Sequence, residues 1–149
     1  MAIVTTLSNH WLYQLGKKLV DVSADTFKII LMNDTFAFDE DAHATLADVI
    51  ASPSAELDTG YGYTQQNKEL SGGSWAENDT SDKGIRTFDN VTWTASGGPI
   101  GPTGSAVVYD DTTADHTVVG CIDFGTDYTI PDLSSFQIQS IVISIGHPA

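Results

Sequence analysis

Apolar positions along the chain fall into short runs broken by Gly, Pro, Asn and Asp, the spacing of strands and turns, and follow a helical period in only two places. The first is near the N-terminus. Trp11, Leu12, Leu15 and Leu19 fall on one stripe of a helix of about three turns, with Ser8 as N-cap and Lys17 and Lys18 near the end where positive charge suits the dipole. Gly16 weakens such a helix by roughly 1 kcal/mol relative to alanine, so it needs a docking surface, either its own sheet or a neighbouring subunit. The second helical stretch is 42–51, in which Leu46, Val49 and Ile50 share a face. Asp41 caps it, Asp39 and Glu40 sit at its positive end, and Pro53 stops it.

The remaining runs read as strands. Residues 26–32 are β-rich and apolar on both faces, which predicts a central strand closed by a turn at Asn33-Asp34. Residues 61–64 begin a strand that turns at Gln66-Asn67 into 68–70. Residues 71–74 are a flexible break, and 75–84 a polar loop or weak strand. Residues 88–93, 106–109 and 118–124 form a β-meander. Its first connection, 96–104, holds four glycines and two prolines and is a stiff, shaped connector. After a turn at 125–128, residues 136–145 make the last strand, with Phe136, Ile138 and Val142 on one face and Gln137, Gln139, Ile141, Ile143 and Ile145 on the other. The fold class is mainly β: an antiparallel β-sandwich or squat barrel of six to seven strands with an N-terminal helix and one short additional helix. Residues 1–24 are expected as an N-terminal helical arm and 25–149 as a single β-rich domain.

Charge narrows the partners. Six Lys and Arg against twenty Asp and Glu give a formal charge of −14, which repels phosphate backbones and anionic lipid, so neither nucleic acid nor membrane is expected as a partner. Only 17% of residues are charged and 41% are hydrophobic, the balance of a globular chain. No apolar run approaches the ~20 residues of a membrane span, and the N-terminus lacks the pattern of a secretion signal. The lone Cys121 sits within an apolar strand and reads as a small buried hydrophobe.

Catalytic chemistry finds little purchase. There is no Gly-x-Ser-x-Gly elbow. The glycine-rich connector lacks the Lys-Ser/Thr ending of a phosphate cradle, and twenty acids make chance carboxylate pairs uninformative. Asp110, Asp111, Asp115 and His116 form the strongest candidate for Ca²⁺, weighed against the commoner role of Asp and Thr in closing hairpin turns, which is preferred. His10, His43, His116 and His147 show no zinc spacing. No metal, cofactor or catalytic residue is expected. Trp11, Trp75, Trp93, Tyr61 and Tyr63 are candidates for a sugar- or receptor-binding platform. Most of them are expected in the core, and Trp75, among Gly, Ser, Glu and Asn, is expected at the surface.

The segments Asn9-His-Trp-Leu-Tyr-Gln-Leu-Gly16, Phe27-Lys-Ile-Ile-Leu-Met32, Gly62-Tyr-Thr64, Phe88-Asp-Asn-Val-Thr-Trp93, Gly101-Pro-Thr-Gly104 and Gly120-Cys-Ile-Asp-Phe-Gly125 resemble small structural proteins of tailed bacteriophages. The resemblance implies a non-enzymatic virion protein on the capsid surface, made in the host cytoplasm. It further implies a decoration or cement protein that binds the major capsid protein, braces capsomer junctions and forms a homo-oligomer, often a trimer. A tail- or fibre-associated receptor- or glycan-binding module is the alternative, and a cell-wall hydrolase a distant third. The expected contact residues are Trp11, Leu15 and Leu19 of the helix, Pro99, Ile100 and Pro102 of the connector, and Trp75.

Overall fold

The structure, a computed structural model, describes residues 2–51 and 55–146. The chain is mainly β, with antiparallel sheets packed in a sandwich-like arrangement and two short helices. A five-stranded sheet has the order β2 (Thr6–Leu7), β9 (Val118–Ile130), β8 (Ile100–Asp110), β3 (Phe27–Asn33), β4 (Glu69–Leu70). A four-stranded sheet has the order β1 (Ala2–Ile3), β11 (Ile141–Gly146), β6 (Lys83–Thr87), β5 (Trp75–Asn78), and β7 (Val91–Thr94) pairs with β10 (Ser135–Ile138).

The continuous apolar run of β3 is explained by burial on both faces. Phe27, Ile29 and Leu31 enter the main core together with Ala106 and Val108 of β8, and meet Ile141 and Ile143 of β11. Ile30 and Met32 point the other way, with Val107, Tyr109 and Cys121, into a second core. That second face is covered by Leu46 and Val49 of helix α2 (Leu46–Ala51) and by Phe36 and Phe38.

Residues 2–24, expected to be a helical arm, also carry two short strands. Strand β1 pairs in parallel with β11 of one sheet and β2 pairs with β9 of the other, so the segment stitches the two together. Helix α1 (Asn9–Gly16) follows, and Val4, Trp11, Val20 and Val22 all belong to the main core. The expected apolar stripe divides: Trp11 is fully buried, Leu15 packs partly buried against the core, and Leu12 and Leu19 face outward. Ser8 is the N-cap by position, but its hydroxyl donates to the His43 carbonyl at 3.4 Å instead of capping the helix.

Several boundaries differ from those read in the sequence. Helix α2 is capped by Thr45, not Asp41: the Thr45 N–H donates to Asp48 Oδ2 at 2.9 Å and the Asp48 N–H donates back to Thr45 Oγ1 at 3.4 Å, a capping box. The acidic triplet instead closes its own turn, where Asp39 Oδ1 accepts the N–H groups of Asp41 and Ala42. Ile50 is exposed, and Pro53 lies outside the described residues, as does His147. Residues 61–64 are a tight turn, while 75–87 hold a hairpin, β5–β6, with the Trp75 ring lying across Gly84. The connector spans only 95–99, because β8 already starts at Ile100. Residues 125–128 lie within β9, and the final strand breaks at Ser140 (φ 43°), sending β10 and β11 to different sheets.

Trp11→Ala is expected to lower stability by about 3–5 kcal/mol through the cavity it leaves, whereas Leu19→Ala is expected to stay within about 0.5 kcal/mol. Urea titration of the two variants checks this, and equal effects would contradict the placement of the helix.

Candidate functional site

At one end of the molecule three loops meet and are joined by hydrogen bonds. Their anchor is Glu56, which is 9% exposed and accepts hydrogen bonds from the Tyr63 hydroxyl at 2.8 Å, the Gln66 N–H at 2.8 Å and Gln66 Nε2 at 3.1 Å. Tyr63 Oη in turn accepts the Leu31 N–H of β3 at 3.0 Å, so the loop is tied to an inner strand. Burial, and then the Glu56 charge, raise the Tyr63 hydroxyl far above its ordinary range and keep it a donor.

This anchoring closes the turn in which the backbones of Gly60 and Tyr63 exchange hydrogen bonds at 2.9 and 3.0 Å. Tyr61 stands at its tip with φ 54° and lies flat on Gly98, where a Cβ would come within 2.7 Å of the ring. Only glycine admits that approach. The Ser96 N–H donates to the Tyr61 carbonyl, the Gly97 N–H to Asp132 Oδ1 and the Leu133 N–H to the Ala95 carbonyl, all between 2.8 and 3.0 Å. Loops 55–66, 95–99 and 131–134 are thereby locked together and leave Tyr61 56% and Leu133 82% exposed. Beside Tyr61 runs a groove of about 690 Å³ lined also by Asn33, Asp58, Gln65, Pro99 and Pro102.

The residues expected to form one contact surface are therefore dispersed. Pro99 and Pro102 are exposed at the groove, but Ile100 beside them is 3% exposed and belongs to the main core. Trp11 is likewise a core residue and offers nothing to a partner. Leu15 is half-buried, Leu19 is exposed beyond the end of α1, and Trp75 is exposed on β5 at the edge of the other sheet. Of the aromatic platform, Trp11, Trp93 and Tyr63 are buried, and Tyr61 and Trp75 are exposed. Leu133 was missed. Its only signal is an apolar residue alone in the polar turn Pro131-Asp-Leu-Ser-Ser135.

The acidic turn divides among separate partners. Asp111 pairs with Lys28 at 3.1 Å and His116 at 3.3 Å, while Asp115 meets His10 at 2.9 Å and accepts the Thr117 hydroxyl. Asp110 is fully buried; its Oδ1 accepts the Thr112 N–H at 3.0 Å, and its Oδ2 meets no group at hydrogen-bond geometry. Burial first, and then the neighbouring Asp25 carboxyl, push Asp110 up to about 8. Among the described residues no group of three or more His, Cys, Asp or Glu side chains is arranged to hold a metal ion. The turn residues serve the turn.

No family model, curated protein or solved structure matches this chain.

The raised Asp110 carboxyl makes the protonated native state the favoured one, so its contribution is fully present below the unfolded value of about 3.9 and is lost as pH rises through about 8. Asp110→Asn, which mimics the protonated form, is expected to gain melting temperature relative to the native chain as pH rises from 5 to 8, and parallel curves would contradict a protonated Asp110. Tyr63→Phe leaves the Leu31 N–H and Glu56 each short of a partner and is expected to cost about 1–3 kcal/mol in chemical denaturation, whereas Tyr61→Phe is expected to be neutral.

Proposed function

We propose that this chain is a non-enzymatic virion structural protein, a capsid decoration or cement protein. In this reading it binds the major capsid protein as a homo-oligomer, a trimer, on the outside of the shell and stabilises capsomer junctions. The observation that carries the reading is the locked loop end, where three loops hold exposed Tyr61, Pro99 and Leu133 on a rigid frame. A surface already ordered in the free protein loses little conformational freedom on docking, which is what a lattice contact requires. The resemblance to small phage structural proteins supports the same class, and a charge of −14 suits a basic docking partner.

A second reading, a tail- or fibre-associated glycan-binding module, is favoured by one specific feature. The groove beside Tyr61 sets an exposed aromatic ring among amide and carboxylate side chains, the composition of many sugar sites.

Co-sedimentation of the purified chain with capsid shells that lack it separates the two. The native chain is expected to bind, and the double variant Tyr61→Ser/Leu133→Ser to lose about tenfold or more in affinity, some 1.4 kcal/mol, with its melting temperature unchanged. Failure of the native chain to bind shells would reject the capsid reading, and glycan-array binding abolished by Tyr61→Ser alone would establish the second.

A further inference from the structure

The two-stranded sheet of β7 and β10 leaves one strand edge open. Strand β10 pairs with β7 along Ser135–Ile138 in unbroken register, and among the described residues no strand pairs with its other side. That side borders a cleft of about 230 Å³, lined by Ile122, Phe124 and Tyr128 of β9 and by Phe136 and Ile138 of β10. Here the main core reaches the surface: Ile122 and Ile138 belong to it, and Phe124 and Phe136 pack against it half-buried. The Phe124, Tyr128 and Phe136 rings lie on one another with centroids 5.4–6.0 Å apart, and Tyr128 remains 43% exposed.

An open strand edge is a template for further pairing, and proteins blunt such edges with charge, proline, a bulge, shortness or a cover. The other outermost strands here are blunted. Strands β1, β2 and β4 are two residues long, and β5 carries Glu77 and runs into Asp79. The outer side of β7 is covered: Lys68 Nζ donates to the Thr92 carbonyl at 2.8 Å, and Gly62 packs against the Thr94 carbonyl too closely to admit a Cβ. Across the cleft, the length of β9 beyond β2 is bulged at 124–127 and carries Asp123 and Asp127. Strand β10 has none of these devices. In a chain of formal charge −14, residues 133–146 hold no Asp, Glu, Lys or Arg at all.

The occupant follows from that lack of charge. An uncharged edge has nothing with which to select a basic partner, but it lets two acidic copies meet with no like charges directly opposed. Its pattern is also its own complement. Ser135, Gln137 and Gln139 are exposed and alternate with Phe136 and Ile138, which border the cleft. An antiparallel pairing of two copies centred on Gln137 sets Phe136 opposite Ile138 on the apolar face and Ser135 opposite Gln139 on the polar face. We propose that two copies of this chain pair β10 against β10 across a two-fold axis, covering the Phe124, Tyr128 and Phe136 patches of both at the joint. This contact is separate from the three-loop end and does not rest on the capsid reading. Being two-fold, it is distinct from the contact that would close a trimer.

Sedimentation velocity of the full chain at rising concentration, up to about 1 mM, tests this. A monomer–dimer equilibrium is expected, and it is expected to strengthen as salt is raised, because salt screens the repulsion between two acidic copies. Amide NMR over the same range is expected to move the resonances of 135–139 and Tyr128. Gln137→Glu/Gln139→Glu puts like charges face to face at the joint and is expected to weaken dimerisation roughly tenfold or more. Thr80→Glu/Ser81→Glu adds the same charge at the exposed tip of the β5–β6 hairpin and is expected to leave it unchanged. Tyr128→Ser, which removes apolar area without adding charge, is expected to weaken the dimer as well. Unchanged melting temperatures at dilution certify the fold of each variant. A monomer at every concentration would overturn the proposal, as would a dimer that the two glutamate pairs weaken equally. So would an oligomer whose shifts gather at Tyr61, Gly97 and Gly98 and leave β10 unmoved.

Discussion

Burial of both faces of β3, β8 and β9 is the constraint from which the rest of the structure follows. An antiparallel sheet in a two-layer sandwich needs only one apolar face, yet here Ile30, Met32, Val107, Tyr109 and Cys121 form a second core behind the first. Each fully buried aliphatic or aromatic side chain contributes about 1.5–3 kcal/mol as an upper estimate, so these inner strands carry a large share of the stabilising burial. They also force the chain to supply a cover, which is why residues 36–51 are spent on a loop and a one-and-a-half-turn helix whose apolar side chains pack on that second core.

The same strands fix the loop end. Tyr63 reaches from its turn to the backbone of Leu31, and Glu56 binds Tyr63 and Gln66, so the position of Tyr61 is set by β3 through two buried polar links. Ile100 anchors the start of β8 in the core, while Pro99 next to it remains outside. The position of the three-loop end is thus set by the sheet. Stitching of the first residues into both sheets has the opposite consequence for the N-terminus: Trp11 is needed for the fold and is not available for docking.

Much of the fold was legible in the sequence, because the dominant signals were local. The run at 26–32 reads as an inner strand, the 106–109 and 118–124 runs as a pair of adjacent strands, and the first helix begins where Ser8 announces it, whereas the 88–93 run read as the first strand of the same meander pairs with β10 instead. What was not legible depended on tertiary pairing. The polar stretch 75–87 becomes a hairpin because β6 has β11 to pair with, and nothing in its own composition says so. The last strand breaks at Ser140 because Asn90 accepts its N–H at 2.8 Å, a contact between residues fifty positions apart. At the three-loop end, 61–64 reads as the start of a strand but is a tight turn, to which the glycines on both sides of Tyr61 are suited. The role of Leu133 needed the fold, since only the Ala95 and Asp132 hydrogen bonds bring its loop beside that turn. Helical spacing alone grouped Trp11 with Leu19 and could not tell which side of the helix met a core.

The central claim is that a sheet buried on both faces presents a preformed contact end to a larger assembly. A reconstruction of the purified particle that locates this chain tests it most directly. The account predicts density for the chain on the outside of the capsid shell, with the Tyr61, Pro99 and Leu133 end buried against the shell or a neighbouring copy. Density at a fibre tip with that end free, or no copy of the chain in the particle, would contradict it.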